Sequence, residues 1–197
     1  QAGVVNVVAS CGTALTAQQV KMLARYANEV IVSYDPDTAG ANATDRSLML
    51  LLEEGLTVRI VRLPDKLDPD SFVKQRGGEA YQSAVANAQP IFRYLANRAL
   101  ELHGKASPEA KLAAVNFVLP YLSKVPNTLI RSELMADVAQ KLEVNQSIIG
   151  DTFMKATMGR RDAIGPQPYG GPAGQPTGGP APRTTPAPAL LRLPAVE

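Results

Sequence analysis

The first part of the chain alternates between short β-branched runs and amphipathic stretches with helical spacing. Apolar runs at residues 4–9, 29–34 and 57–63 predict three strands, because β-branched residues favour extended backbone. The stretches between them predict two helices, the first entered through a capping box at Thr16 and Gln19. This β-α-β-α-β order with short connections predicts a parallel sheet with right-handed crossovers.

Beyond residue 63 the pattern is helical throughout. A short helix from Ser71 to Gln75, with Asp70 as its N-cap, is expected to end at Gly77-Gly78, since glycine stops helices. Five more helices are predicted at about residues 79–88, 90–102, 107–119, 127–142 and 145–156. They predict a small helical bundle that packs against the sheet.

The composition changes abruptly near the carboxyl terminus. Residues 165–197 hold nine prolines and six glycines. Such a segment buries too little apolar surface to offset the conformational entropy that is lost when the chain becomes ordered. The predicted organisation is therefore an α/β unit at 1–78, a helical unit at 79–160 and a Pro/Gly-rich disordered tail or linker at 161–197. The short apolar group at 190–193 has two interpretations: it is the first turn of a further domain, or it is a chance cluster of apolar residues without structural meaning.

Composition excludes several classes of protein. The chain has one cysteine, Cys11, which excludes an internal disulfide framework and a multi-cysteine zinc site. No apolar run reaches the ~18 residues of a membrane span, so a cytoplasmic protein is expected. A net charge of +2 neither requires nor excludes nucleic acid. The single histidine, His103, is expected at a surface or boundary.

Two acidic pairs follow predicted strands. Asp35-Pro36-Asp37 comes after the second strand and Asp68-Pro69-Asp70 after the third, while Gly12-Thr13 follows the first. In a parallel sheet the carboxyl ends of the strands share one edge, which is where open α/β folds bind ligands. Residues far apart in sequence should therefore meet there.

Each acidic pair also has a simpler interpretation, in which one aspartate caps the following helix and the other is solvated. Two such pairs on one edge favour a cation, because clustered carboxylates repel one another. Mg²⁺ or Mn²⁺ suits an all-carboxylate site, and Mg²⁺ points to phosphate chemistry. Arg59 and Arg62 could contact phosphate, but alternating arginines on an outer strand are more often solvated.

Three motifs carry a family resemblance. Residues 7–16 (VVASCGTALT), 34–40 (YDPDTAG) and 62–73 (RLPDKLDPDSFV) resemble the TOPRIM domain of bacterial DnaG-type DNA primases in order and spacing. The stretch from Arg131 to Leu142 resembles the helical part behind that domain, and the proline-rich tail resembles the linker to the helicase-binding region. The resemblance implies a partial TOPRIM sheet followed by helices.

The resemblance also implies roles for individual residues. Asp35 and Asp37 would be catalytic metal ligands, and Asp68 and Asp70 a second acidic pair for metal and nucleotide. Gly12 and Thr13 would line the site. The implied activity is template-directed synthesis of short RNA primers by a monomer that uses Mg²⁺ or Mn²⁺. The implied partners are nucleoside triphosphates, a single-stranded DNA template and a replicative helicase bound through a missing carboxyl-terminal domain.

Two departures from the family pattern affect these expectations. Pro36 stands where the family usually has glycine, which should stiffen the loop. The family's catalytic glutamate lies upstream of Gln1, and zinc is expected only in a missing upstream domain. The chain alone is therefore expected to bind Mg²⁺ or Mn²⁺ weakly and to make no primers.

Two other functions remain open from the residues alone. The same scaffold occurs in nucleases and topoisomerases that cleave DNA, although no feature here indicates a nucleophilic tyrosine in a separate domain. A non-enzymatic receiver-like module also places aspartates at strand ends, but it does not explain the doubled Asp-Pro-Asp.

Overall fold

The computed structural model describes residues 3–9, 15–33, 41–64, 67–158 and 190–192. Their strands are β1 (Val7–Ala9), β2 (Glu29–Ser33), β3 (Thr57–Val61), β4 (Gln89–Pro90) and β5 (Leu190–Arg192). Their helices are α1 (Ala17–Leu23), α2 (Ala41–Glu53), α3 (Pro69–Ala86), α4 (Ile91–His103), α5 (Pro108–Leu122), α6 (Thr128–Leu142) and α7 (Gln146–Met158). None of these helices has the length and apolarity needed to cross a bilayer.

The sheet has the strand order β1-β5-β2-β3-β4. The β2 and β3 strands pair in parallel from Glu29 opposite Thr57 to Ser33 opposite Val61. The β1 and β2 strands also run in the same direction, because each is antiparallel to β5. The predicted common direction of the first three strands is confirmed, and so is the predicted order of an α/β sheet followed by helices.

The interpretation of residues 190–193 as a first turn was wrong. Leu190–Arg192 form a strand that lies antiparallel between β1 and β2. This segment and the two-residue β4, which is antiparallel to β3, make the sheet mixed rather than parallel. A three-residue strand gains its stability from the strands on either side of it. The local sequence does not reveal these neighbours, so it could not predict this strand.

The edge position of β1 corrects the expectation that residues 4–9 form a buried strand. Only Val7–Ala9 are extended, and Val8 and Ala9 are exposed. In the described part of the sheet, β1 has a neighbour on one side alone, which leaves its side chains partly uncovered.

Two hydrophobic clusters cover the two faces of the sheet. On one face Val30, Val32, Val58 and Ile60 share a core with α2 and the helices α4–α7. On the other face Ile31 and Val61 pack with the Phe72, Tyr81 and Val85 side chains of α3. The first core runs without a break through the boundary near residue 78 that the sequence predicts; the division into units stays a prediction.

Several helix ends follow the local rules of sequence. The Thr16 capping box is present, with the Thr16 hydroxyl oxygen accepting from the Gln19 N–H at 3.3 Å. Ser107 and Asn127 cap α5 and α6 as expected. The predicted break at Gly77 is also present, since its φ of 83° and ψ of 167° interrupt α3.

Arg59 has a structural role that the sequence did not indicate. Its guanidinium donates to the carbonyls of Ala86 and Ala88 and forms an ion pair with Glu29 at 3.4 Å. These contacts hold the segment after α3 against β3. The expectation that Arg59 is simply solvated was wrong for this side chain, whereas the exposed Arg62 forms a surface ion pair with Glu101.

Candidate functional site

The carboxyl ends of β1, β2 and β3 lie side by side. Ala9 and Ser33 flank Leu190, and Ser33 pairs with Val61, so the last residues of the three strands form one row across the sheet. Residues 10, 34 and 62 follow these ends directly in the chain. The shared edge that the sequence predicts is therefore present.

Four of the predicted site residues, Gly12, Thr13, Asp35 and Asp37, lie outside the described residues. Their roles stay predictions. The described residues contain no group of three or more acidic, histidine or cysteine side chains that could hold a metal ion.

Asp68 forms the N-cap of α3. Its Oδ1 accepts from the Ser71 N–H at 2.9 Å and its Oδ2 accepts from the Ser71 hydroxyl at 2.7 Å. These bonds, the backbone one first, lower the pKa of Asp68 and keep the carboxylate ionised. The Asp68 carboxylate is therefore ionised and held in one orientation at the beginning of α3, and carboxylate oxygens are ligands that divalent ions use.

Asp70 lies in the first turn of α3 and forms an ion pair with Lys74. The Asp70 Oδ2 and the Lys74 Nζ are 2.6 Å apart, and both side chains are about three-quarters exposed, at 73% and 72%. The Asp70 carboxylate raises the pKa of Lys74. A cation that used Asp70 would compete with this ammonium group.

Sequence reasoning missed Ser33, the last residue of β2. Its side chain is 1% exposed, and its hydroxyl has no hydrogen-bond partner in the described part of the structure. An unpaired buried hydroxyl is uncommon and costs stability. A serine at the end of an apolar run, two residues before Asp35, is the signal that could have drawn attention to it.

Comparisons with known proteins agree with this geometry. A family model described as Toprim-like matches residues 1–73, and a model described as the DnaB-helicase binding domain of primase matches residues 92–147. The DNA primase of Clostridium acetobutylicum is 52% identical over 101 residues, which are 51% of this chain and 17% of that protein.

Solved structures of DNA primases are also similar to this chain. A DNA primase domain from Pseudomonas aeruginosa has a TM-score of 0.62 and 27% identity over 73% of this chain and 46% of its own. This chain belongs to the bacterial DnaG-type primases. A DnaG primase catalytic domain bound to single-stranded DNA has a TM-score of 0.59 and 32% identity over 70% of this chain and 45% of its own. This chain matches 17% of the length of the Clostridium acetobutylicum primase and 29% of the length of the Pasteurella multocida primase.

Proposed function

We propose that this chain supplies the metal- and nucleotide-binding edge of a DNA primase that makes short RNA primers. The observation that supports this proposal is the row formed by Ala9, Ser33 and Val61, because each strand end leads directly into a predicted site segment. Membership of the primase family favours this activity over DNA cleavage or a receiver-like module. A replication fork in the cytoplasm is the proposed location.

Asp35, Asp37 and Asp68 would hold Mg²⁺ or Mn²⁺, with Asp70 contributing once Lys74 has released it. Ions held there would neutralise phosphate charge while a primer 3′-hydroxyl, losing its proton to water, attacks the α-phosphate of a nucleoside triphosphate and displaces pyrophosphate. Asp68 fits this role because its hydrogen bonds with Ser71 keep it ionised and fix its orientation. The contribution of the protein is positioning and electrostatic stabilisation.

The proposed partners are single-stranded DNA and a replicative helicase. The relative bound to single-stranded DNA supports a DNA template. The family model named for helicase binding covers α4 to α6, so we place a helicase-facing surface on these helices in addition to any carboxyl-terminal domain. A monomer in solution is part of the same proposal.

A manganese titration tests the metal site. The paramagnetic signal of free Mn²⁺ should fall on addition of the wild-type chain, with weaker binding by D35N and D68S. D137N is the matched control, because Asp137 is an exposed aspartate on α6, remote in sequence from the edge. Equal binding by all four proteins would remove the proposed site.

A priming assay tests the activity. The chain is incubated with ribonucleoside triphosphates, Mn²⁺ and a single-stranded template, and we expect no primers, because its match to the Clostridium acetobutylicum primase covers only 17% of that protein. A longer chain that includes the catalytic glutamate implied by the family resemblance should have stronger Mn²⁺ affinity. Robust primer synthesis by the 197 residues alone would show that the site does not require that glutamate.

A further inference from the structure

Ser33 ends the β2 strand in surroundings that do not satisfy its hydroxyl group. The residue is 1% exposed, and no hydrogen-bond partner for its Oγ lies among the described residues. A buried polar group without a partner costs the folded state free energy, and such groups are rare. Apolar side chains fill the two preceding positions of the strand, Ile31 and Val32. Packing alone therefore does not account for a serine at the end of β2.

The Ser33 side chain lies on the face of the sheet that α3 covers. Side chains two residues apart in a strand point to the same face, so Ser33 shares the face of Ile31. Ser33 also lies opposite Val61 in the parallel pair of β2 and β3. Both Ile31 and Val61 belong to the apolar cluster that contains the Phe72 ring of α3. The unpaired hydroxyl is thus next to this cluster, at the carboxyl edge of the sheet where β1, β2 and β3 end.

The helix α3 begins near the same edge and carries Asp68 there. Residues 62–68 connect the carboxyl end of β3 to α3, and Leu67 packs against the same apolar cluster. Beyond the other end of α3, the Ala88 carbonyl accepts from Arg59 in the middle of β3, so the helix runs back along the sheet from the carboxyl edge. The ionised Asp68 carboxylate and the unpaired hydroxyl therefore share one face and one edge.

We propose that Ser33 is a positioning residue of the metal-binding edge, where its hydroxyl oxygen accepts a hydrogen bond from a water molecule bound to the divalent cation. This inference rests on the proposed function and adds a residue to it. Mg²⁺ in proteins usually keeps several water molecules and binds through one or two carboxylates. A water on a cation is a strong hydrogen-bond donor because the cation withdraws charge from it. A serine oxygen has two lone pairs that can accept such a bond.

The Ser33 side chain can reach this position without losing an existing hydrogen bond. Among the described residues nothing bonds its Oγ, and a serine side chain has three staggered positions about χ1. Turning toward the edge of the sheet therefore exchanges an unpaired hydroxyl for a paired one. Because the bond forms only when the cation is bound, it increases the affinity for the cation and not the stability of the metal-free chain.

Manganese titration of Ser33 variants tests the proposal. S33A should weaken Mn²⁺ binding about threefold to tenfold, the effect of one hydrogen bond, and should raise the melting temperature of the metal-free chain. S33T and S33V add nearly the same bulk, but only threonine keeps the hydroxyl, so S33T should bind Mn²⁺ more tightly than S33V by a similar factor. S123A is the matched control. The Ser123 hydroxyl donates to the Pro120 carbonyl at 2.6 Å in the helical bundle, and its loss should change Mn²⁺ affinity by less than about twofold.

Higher stability together with weaker Mn²⁺ binding distinguishes this role from a structural one, because a serine needed only for packing would lose both when it is replaced. Equal affinity in the wild type and S33A, or in S33T and S33V, would overturn the proposal. The metal site itself would still stand if D68S binds more weakly than the wild type. A lower melting temperature of S33A would also overturn the proposal, since the hydroxyl would then have a partner in the metal-free chain. If the wild type binds no Mn²⁺, the proposed function and this inference both fail.

Discussion

Asp68 accepts both the backbone N–H and the hydroxyl of Ser71, at 2.9 Å and 2.7 Å. One carboxylate thus caps α3 and is also a proposed metal ligand. The two interpretations of Asp-Pro-Asp that the sequence leaves open are therefore compatible at this residue.

Two substitutions separate the cap from the metal ligand. D68A should lower the free energy of unfolding by about 1 kcal/mol, because alanine cannot cap the helix. D68S should keep most of that stability, since serine is an N-cap comparable to aspartate, yet it should lose Mn²⁺ affinity as D68A does. Urea unfolding and manganese titration of both variants check this, and full Mn²⁺ affinity in D68S would limit Asp68 to capping.

Lys74 should weaken metal binding at the edge of the sheet. K74M removes the ammonium group that pairs with Asp70, so Mn²⁺ affinity should rise about twofold at low salt and less at about 0.5 M salt, as expected for an exposed pair. K141M is the control, because Lys141 is an exposed lysine at the end of α6. An affinity unchanged by K74M would show that Asp70 does not bind the ion.

The row of strand ends could be predicted because it depends on order and direction alone. Three apolar runs separated by helices predict strands that run in one direction, so their carboxyl ends lie along one edge. That the acidic residues meet at this edge stays a prediction. The cap of α3 is a contact three residues along the chain, yet the expectation that Asp70 is the cap was wrong, because Asp68 fills this position and Asp70 lies inside the first turn.

The strand at Leu190–Arg192 and the burial of Asp45 could not be predicted in this way. Leu191 lies opposite Val8 and Val32, residues more than 150 positions away in the chain, and no local pattern encodes that pairing. Asp45 looks like an ordinary helix-surface residue until α4 and α5 bring Arg98 and Tyr121 to it. Contacts between distant elements decide both cases.

Two buried serines should respond in opposite ways to the same substitution. S33A removes a hydroxyl without a partner among the described residues and should raise the free energy of unfolding by about 1 kcal/mol. S47A removes the oxygen that accepts from the Leu15 N–H at 3.0 Å, and should lower it by about 1 kcal/mol. Urea denaturation gives both values, and destabilisation by S33A would show that its hydroxyl has a partner in solution.

Two glycines should also respond in opposite ways to substitution by alanine. Gly77 has a φ of 83° and a ψ of 167°, a conformation that other residues avoid, so G77A should destabilise the protein by about 1–3 kcal/mol although nothing lies within 4 Å of an added Cβ. Gly150 lies inside α7 with equally open space, and G150A should stabilise by about 1 kcal/mol. Loss of stability in both variants would mean that the break in α3 is not what separates them.

The pH dependence of stability should reveal the burial of Asp45. Its pKa is raised by burial against the opposing effects of Tyr121 and Arg98, with Tyr94 also close to Tyr121. Because the folded state holds this proton more tightly than the unfolded state, the contribution of Asp45 to stability is greatest below its ordinary pKa of about 3.8 and falls as pH rises through the raised value. The amide that replaces the carboxyl group in D45N does not titrate, so the melting temperature of the wild type relative to D45N should increase as pH falls from about 7 to about 4. E101Q removes an exposed carboxylate on α4. Its melting temperature over the same pH range corrects for effects of surface charge. A difference between wild type and D45N that is constant with pH would show that the carboxylate is solvated in the folded protein.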